Sequence, residues 1–180
     1  MESGKFSFKT PILLLIFGFI IAAGINAQAN SSLNGRWTAV EDGFEVIYDF
    51  RNGNYEILLS EESFGMIPLF RGTYTASRNE IVFNTNSIFG GFFNIIFEEI
   101  GISTSVVEEK WYSIDEFYKT ISFIFEGMGF SESDIEELKS ELIGAVSTTE
   151  RYSLNGNILS MTSPFSTNEN ENIEIVFTRR

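Results

Sequence analysis

The sequence predicts a mainly β fold: an eight-stranded, up-and-down antiparallel barrel with a three-helix insertion between strands five and six. Three observations carry this expectation. Short segments alternate apolar and polar residues with the period of a half-buried strand. Turn pairs at Asp42-Gly43, Asn52-Gly53 and Asn155-Gly156 punctuate them. Residues 85 to 146 break the alternation and adopt a helical period instead. Eight meandering strands have two bare edges, and closure into a barrel removes both.

The strands follow in order. GRWTAVE, residues 35 to 41, opens the meander and ends at Asp42-Gly43. FEVIYDF, 44 to 50, puts Phe44, Val46, Tyr48 and Phe50 on one face and Glu45 and Asp49 on the other. Asn52-Gly53 leads into NYEILLS, 54 to 60, where Tyr55, Ile57 and Leu59 share a face. Asn-Gly and Asp-Gly suit two-residue hairpins, whose central residues need positive φ. LFRGTYTA, 69 to 76, sets Phe70, Gly72 and Tyr74 against Arg71, Thr73 and Thr75. SRN turns the chain into EIVFN, 80 to 84, with Ile81 and Phe83. Beyond the insertion, STTERYSL turns at Asn155-Gly156 into NILSMTS, and IEIVFTRR forms the eighth strand.

Within the insertion, apolar residues at 89, 92, 93, 96, 97 and 100 mark one face of a first helix. Gly90 and Gly91 weaken it by roughly 1 kcal/mol each relative to alanine. A second helix has Phe117, Ile121, Ile124, Phe125 and Met128 on one face, a capping box from Ser113 and Glu116, and Gly127 or Gly129 as its end. A third, begun at Ser131 or Ser133, shows Ile135, Leu138, Leu142 and Val146. Val106 to Tyr112 is ambiguous and fits an extra strand.

The N-terminus differs in character. Lys5 and Lys9 precede an uncharged run, residues 11 to 25, and Ala27-Gln28-Ala29 offers a small-x-small site. That is the order of a secretory signal peptide, expected over 1 to 29, with one mature domain over 30 to 180 and secretion or a periplasmic, envelope location. An uncleaved anchor is the rival, though the run falls short of the ~20 residues a spanning helix needs. Removing Lys5, Lys9 and Glu2 from 12 basic and 25 acidic residues leaves 10 against 24, a net charge of −14. Nucleic acid and anionic lipid are poor partners for such a chain. The absence of cysteine and histidine removes disulfides, thiolate nucleophiles, the usual general base and the commonest zinc ligands. No cofactor or metal is expected. NENENIE, 168 to 174, lacks the glycine and glutamate that complete a calcium loop.

Gly35 and Trp37 form a Gly-x-Trp at the start of the first strand, ahead of seven more strands. Together with the hairpins and the RGTYT…IVF pair, this resembles the lipocalins, and more closely the small lipocalin-like domains of secreted bacterial proteins. The resemblance implies that Trp37 plugs a closed barrel end, with Arg179 or Arg180 across its ring. It covers about 90 residues, the strands only. The second lipocalin motif, around Thr-Asp-Tyr, is missing, and the helical insertion is not a standard element of that family.

The expected function is non-catalytic binding of a small apolar, lipid-like molecule. Phe44, Tyr48, Tyr55 and Tyr74 would line the barrel with Val46, Phe50, Ile57, Leu59, Phe70, Phe83 and Phe177. Phe89, Phe92, Phe93, Phe97, Phe117, Ile121 and Phe125 would cover its mouth as a lid. The alternative is a filled barrel serving as a surface interaction module, with a protein partner on the Phe-rich helix at 86 to 101. An enzyme is not expected: adjacent acids such as Glu61-Glu62 and Glu136-Glu137 read as solvated faces, and no nucleophile or phosphate-loop motif is present.

Overall fold

The computed structural model describes residues 31–41, 43–62, 65–99, 107–133, 135–136, 147–163 and 173–180. The expected signal segment, the loop at 168 to 172 and most of the third expected helix lie outside them.

Nine strands are described: β1 (Gly35–Glu41), β2 (Phe44–Arg51), β3 (Asn54–Glu61), β4 (Gly65–Ala76), β5 (Glu80–Phe89), β6 (Trp111–Ser113), β7 (Ser147–Asn155), β8 (Ile158–Ser163) and β9 (Ile173–Arg179). Two helices, α1 (Gly90–Glu99) and α2 (Ile114–Gly127), follow β5 and β6. Antiparallel pairings join β1 to β2, β2 to β3, β3 to β4, β4 to β5, β5 to β7, β7 to β8 and β8 to β9. β9 returns to β1 through Trp37↔Arg179 and Thr38↔Thr178, closing a ring of eight strands.

Turn chemistry sets these pairings. Asn52 and Gly53 both have positive φ, 51° and 83°, as a tight hairpin between right-twisted strands requires. Ser77 donates its amide to the Glu80 carbonyl across the SRN turn. The turn after β7 lies one residue later than expected, at Gly156 and Asn157, because Asn155 pairs with Ile158. β3 and β4 slip register between Ile57 and Leu58, and β4 and β5 between Arg71 and Gly72. A Cβ at Gly72 would stand 2.0 Å from the Asn84 carbonyl oxygen, so this bulge admits only glycine without moving backbone.

Antiparallel alternation fixes the two ends. The start of β1, the Asn52-Gly53 turn, the SRN turn, the Gly156 turn and Arg179 gather at one end. The start of β2, the start of β4 and the exit of β5 into α1 gather at the other. Trp37 is fully buried at the first end, beneath a 3-10 turn at Ser31–Leu33. Its indole N–H donates to the Leu33 carbonyl at 2.7 Å. The Arg179 guanidinium lies 4.5 Å from the Trp37 ring centroid and donates to the carbonyls of Ser32 and Asn34. Arg180 points the other way and pairs with Glu45, so strand alternation selects Arg179 for the ring.

The insertion departs from expectation at its start and in its helix count. β5 continues to Phe89, so the helical segment begins at Gly90 and not at residue 85. Phe89 fits either period, but residues 87 to 89 pair with a further strand, which settles them as strand. That partner is β6, a short ninth strand within the ambiguous segment's reach. Two helices, not three, are described: the third, expected over 131 to 146, falls mostly on residues outside the description.

Replacing Trp37 by alanine removes the ring on which Leu33, Arg179 and the barrel seam meet. It should lower stability by about 3–5 kcal/mol, read from the urea midpoint. Gly72→Ala should cost about 1–3 kcal/mol through forced strand separation. Unchanged midpoints would remove Trp37 from the core and Gly72 from the bulge.

Candidate functional site

The inward faces of the strands bring most of the expected barrel residues together. Tyr48 contacts Phe50, Phe83 and Phe177 with ring centroids 5.2–5.7 Å apart. Phe83 also meets Tyr55 edge-on at 4.9 Å, and Phe50 meets Tyr74 at 4.8 Å. Tyr74 thus belongs to the layer over Trp37. Phe44 and Val46 sit at the opposite end, half-buried against the core. These offset and edge-on contacts consume much of the interior.

The helical residues pack against one another and belong to the same hydrophobic core as the barrel residues. Phe93 lies 4.4 Å from Phe117, which also meets Tyr112, and Phe97 meets Phe125 at 6.0 Å. Phe92 meets Phe93, and Ile121 is buried beside them. Phe89 stands apart at the end of β5, edge-on to Trp111. With Phe92, Phe93 and Phe97 all buried, the Phe-rich face of α1 is used within the chain and is not offered at its surface.

This group is fastened at the helical end by specific contacts. The Asn94 side chain donates to the Val107 carbonyl at 2.8 Å and accepts from the Val107 amide at 3.3 Å. The Gly90 amide donates to the Lys110 carbonyl. A Cβ at Gly90 would stand 2.3 Å from the Glu108 carbonyl oxygen, so Gly90 permits a close approach that outweighs its helical cost. Ser113 caps α2 by accepting from the Glu116 amide, as expected, while the Glu116 carboxylate reaches Lys110. Gly129, with φ of 85°, lies just beyond the end of α2.

The residues that sequence reasoning missed form a polar stripe on the inner wall. Thr148 and Glu150 of β7 are each 1% exposed, and Thr85 of β5 is buried nearby. The Tyr55 hydroxyl and Thr85 Oγ1 share a hydrogen bond of 2.6 Å. Both carboxyl oxygens of Glu150 are buried without a hydrogen-bond partner. A period-two signal was present: Thr148, Glu150 and Tyr152 alternate on one face, and Tyr152 is a natural inward residue. The Tyr152 hydroxyl donates to the Ser77 carbonyl at 2.8 Å, which places Glu150 in the half of the barrel nearer Trp37.

Burial pushes the Glu150 carboxyl up to about 8. Burial also raises the Tyr48 and Tyr55 phenols, and proximity to Glu150 raises both further. The interior therefore holds a carboxylic acid that is largely neutral near neutral pH. Outside the barrel the opposite holds. Asp49, on the face opposite Tyr48 and Phe50 as expected, is buried, and the hydrogen bonds it accepts from Arg51 and Arg36 hold its carboxyl below the usual range. An open basin of about 530 Å³ lies on that outer wall, lined by Asp49, Arg51, Glu56, Arg71 and Ser87 among others. Its arginines are engaged, Arg51 by Asp49 and Arg71 by the Trp111 ring at 4.2 Å.

Among the described residues, no group of acids stands where it could hold a metal ion. None of the described helices is long and apolar enough to cross a membrane. Comparison with family models, curated proteins and solved structures finds no match for this chain.

The unfolded chain ionises Glu150 near 4.5, whereas the folded chain keeps it protonated to about 8. The native state then holds the extra proton, so stability falls as pH rises through that window, by about 3–5 kcal/mol in full. Asp49 acts only at lower pH, since its stabilisation is lost as pH falls through its depressed value. Urea midpoints should drop between about pH 5 and pH 8 in the natural chain and stay nearly level in Glu150→Gln. Equal slopes in both would mean that Glu150 ionises freely in the folded state.

Proposed function

We propose that this protein is a lipocalin-like binding barrel that holds one small, largely apolar molecule, with the helical insertion as its lid. The observation that carries this reading is the polar stripe of Tyr55, Thr85, Thr148 and Glu150 inside an aromatic wall. Ligand sites combine apolar walls with a few convergent polar groups. A barrel that served only as a packed core would gain nothing from a buried acid with no partner, because such a group costs free energy. The arrangement of the ends agrees. One holds the Trp37–Arg179 stack, and the exit of β5 into the helical segment lies at the other. An eight-stranded barrel is wide enough for side chains or for one small ligand.

The competing reading is a filled barrel that serves as a surface interaction module. The continuous ring contacts from Tyr74 through Phe50 and Phe83 to Tyr48 and Phe177 favour it. The Gly-x-Trp start, the Trp37–Arg179 stack and the single ring of strands support the lipocalin-like assignment in either case. Export through the N-terminal segment is part of the same proposal, and N-terminal sequencing of the exported protein should begin near Asn30.

Native mass spectrometry of the protein, purified from its own host without detergent, separates the two readings. A reproducible added mass, lost on denaturation, is expected. A bare mass in every preparation, with no uptake of apolar probes, would assign the barrel to the filled class. The lid is tested by Gly90→Ala, which should loosen α1 and speed ligand release, while leaving the Trp37 environment intact by fluorescence in a Trp111→Phe background.

A further inference from the structure

The Glu150 carboxyl has more to say about what enters the barrel. Both of its oxygens are unpartnered and buried, on the inward face of β7. It pairs across the sheet with Ile81, and Phe83 is the next inward residue along β5. The Phe83 ring touches both Tyr48 and Tyr55. Among the described residues, the Tyr48 phenol from β2 and the Tyr55 phenol from β3 interact with Glu150. A lone acid among aromatic rings is well complemented by an organic cation. The carboxylate neutralises its charge, and the negative ring faces attract it at close range. An anionic head group would meet the opposite environment, both from Glu150 and from a chain of net charge −13.

We infer that the barrel ligand carries a protonated amine, which sits on the Glu150 carboxylate between Tyr48, Tyr55 and Phe83, with an apolar body directed toward the helical end. This rests on the ligand-binding reading above and narrows it to amphiphilic amines. The geometry sets the orientation. Glu150 lies in the half nearer Trp37, so the head enters first and the tail is left among apolar residues below α1 and α2. The proton balance is explicit. An ammonium ion meets a neutral carboxylic acid, the pair forms with the carboxylate, and one proton passes to solvent. Affinity therefore rises with pH, approaching about tenfold per unit while the empty carboxyl stays protonated.

The test uses the full chain with three probes of equal tail length: n-decylamine, n-decanol and n-decanoate, each below its micellar concentration. Retention is read by native mass spectrometry, and affinity by calorimetry across about pH 6 to pH 8. Decylamine should bind at least about tenfold better than the other two, with one proton released per molecule, seen as a buffer-dependent enthalpy. Glu150→Gln should abolish the preference for the amine and the pH dependence, while decanol uptake reports an intact interior. Equal binding of decylamine and decanol, or an unchanged amine preference in Glu150→Gln, would overturn the cation inference and leave the ligand-binding reading standing. Uptake of none of the probes would overturn the inference too. If the protein from its own host were also bare, the ligand-binding reading would fall with it.

Discussion

The fold hangs on the contact between Trp37 and Arg179. Trp37 is the residue of β1 that faces Tyr48 on one side and Arg179 on the other. The indole is held from below by the Leu33 carbonyl, and from above by a guanidinium that also gathers the Ser32 and Asn34 carbonyls. One side chain thereby joins the first strand, the last strand and the turn that leads into the first. Every inward position of the barrel is counted from this seam, because a slip of one residue would turn each strand over. Gly35, with φ of 128°, supplies the backbone conformation that carries the chain from the 3-10 turn into β1.

With that end fixed, the interior reflects a balance between packing and chemistry. Aromatic rings contribute large buried areas, and a chain without disulfides needs them. The same burial makes a charge at Glu150 expensive, so the carboxyl holds its proton. Asp49 shows the other solution to buried acidity. Two arginines surround it on the outer wall, and it stays ionised. Two carboxyl groups of the same barrel are thus driven in opposite directions, Glu150 upward by burial without a partner and Asp49 downward by its arginines.

Much of the barrel was legible in the sequence. Period-two alternation located the eight barrel strands to within a few residues, because half-buried strands and Gly-centred turns leave strong local signals. The inward placement of Tyr48, Tyr55 and Tyr74 followed from that alternation. The choice of Arg179 over Arg180 also follows from it, once strand nine is known to close on strand one. The insertion was less legible. Phe89 satisfies both strand and helix periods, and only the cross-strand partner at Trp111 decides it. Glu150 was hidden for a different reason. A glutamate in an alternating strand is assigned to the solvent by default, and only the neighbouring Thr148 and Tyr152 on the same face argue otherwise. Which strands would cover Asp49 was likewise invisible, since Arg36 and Arg51 reach it from different positions on the ladder.

The brevity of the β1–β9 join bears on how the chain acquires its shape. Every other barrel pairing links segments that are neighbours along the chain or flank the insertion, but this one joins residues roughly 140 positions apart through two residue pairs. Closing so long a loop for so few contacts is entropically slow, so the ring should form from the hairpins outward and seal last. Until then β1 and β9 are open edges, able to recruit a strand from another molecule. The surplus of acidic side chains makes such encounters repulsive, which gives the chain's strong negative charge a task during folding as well as after it.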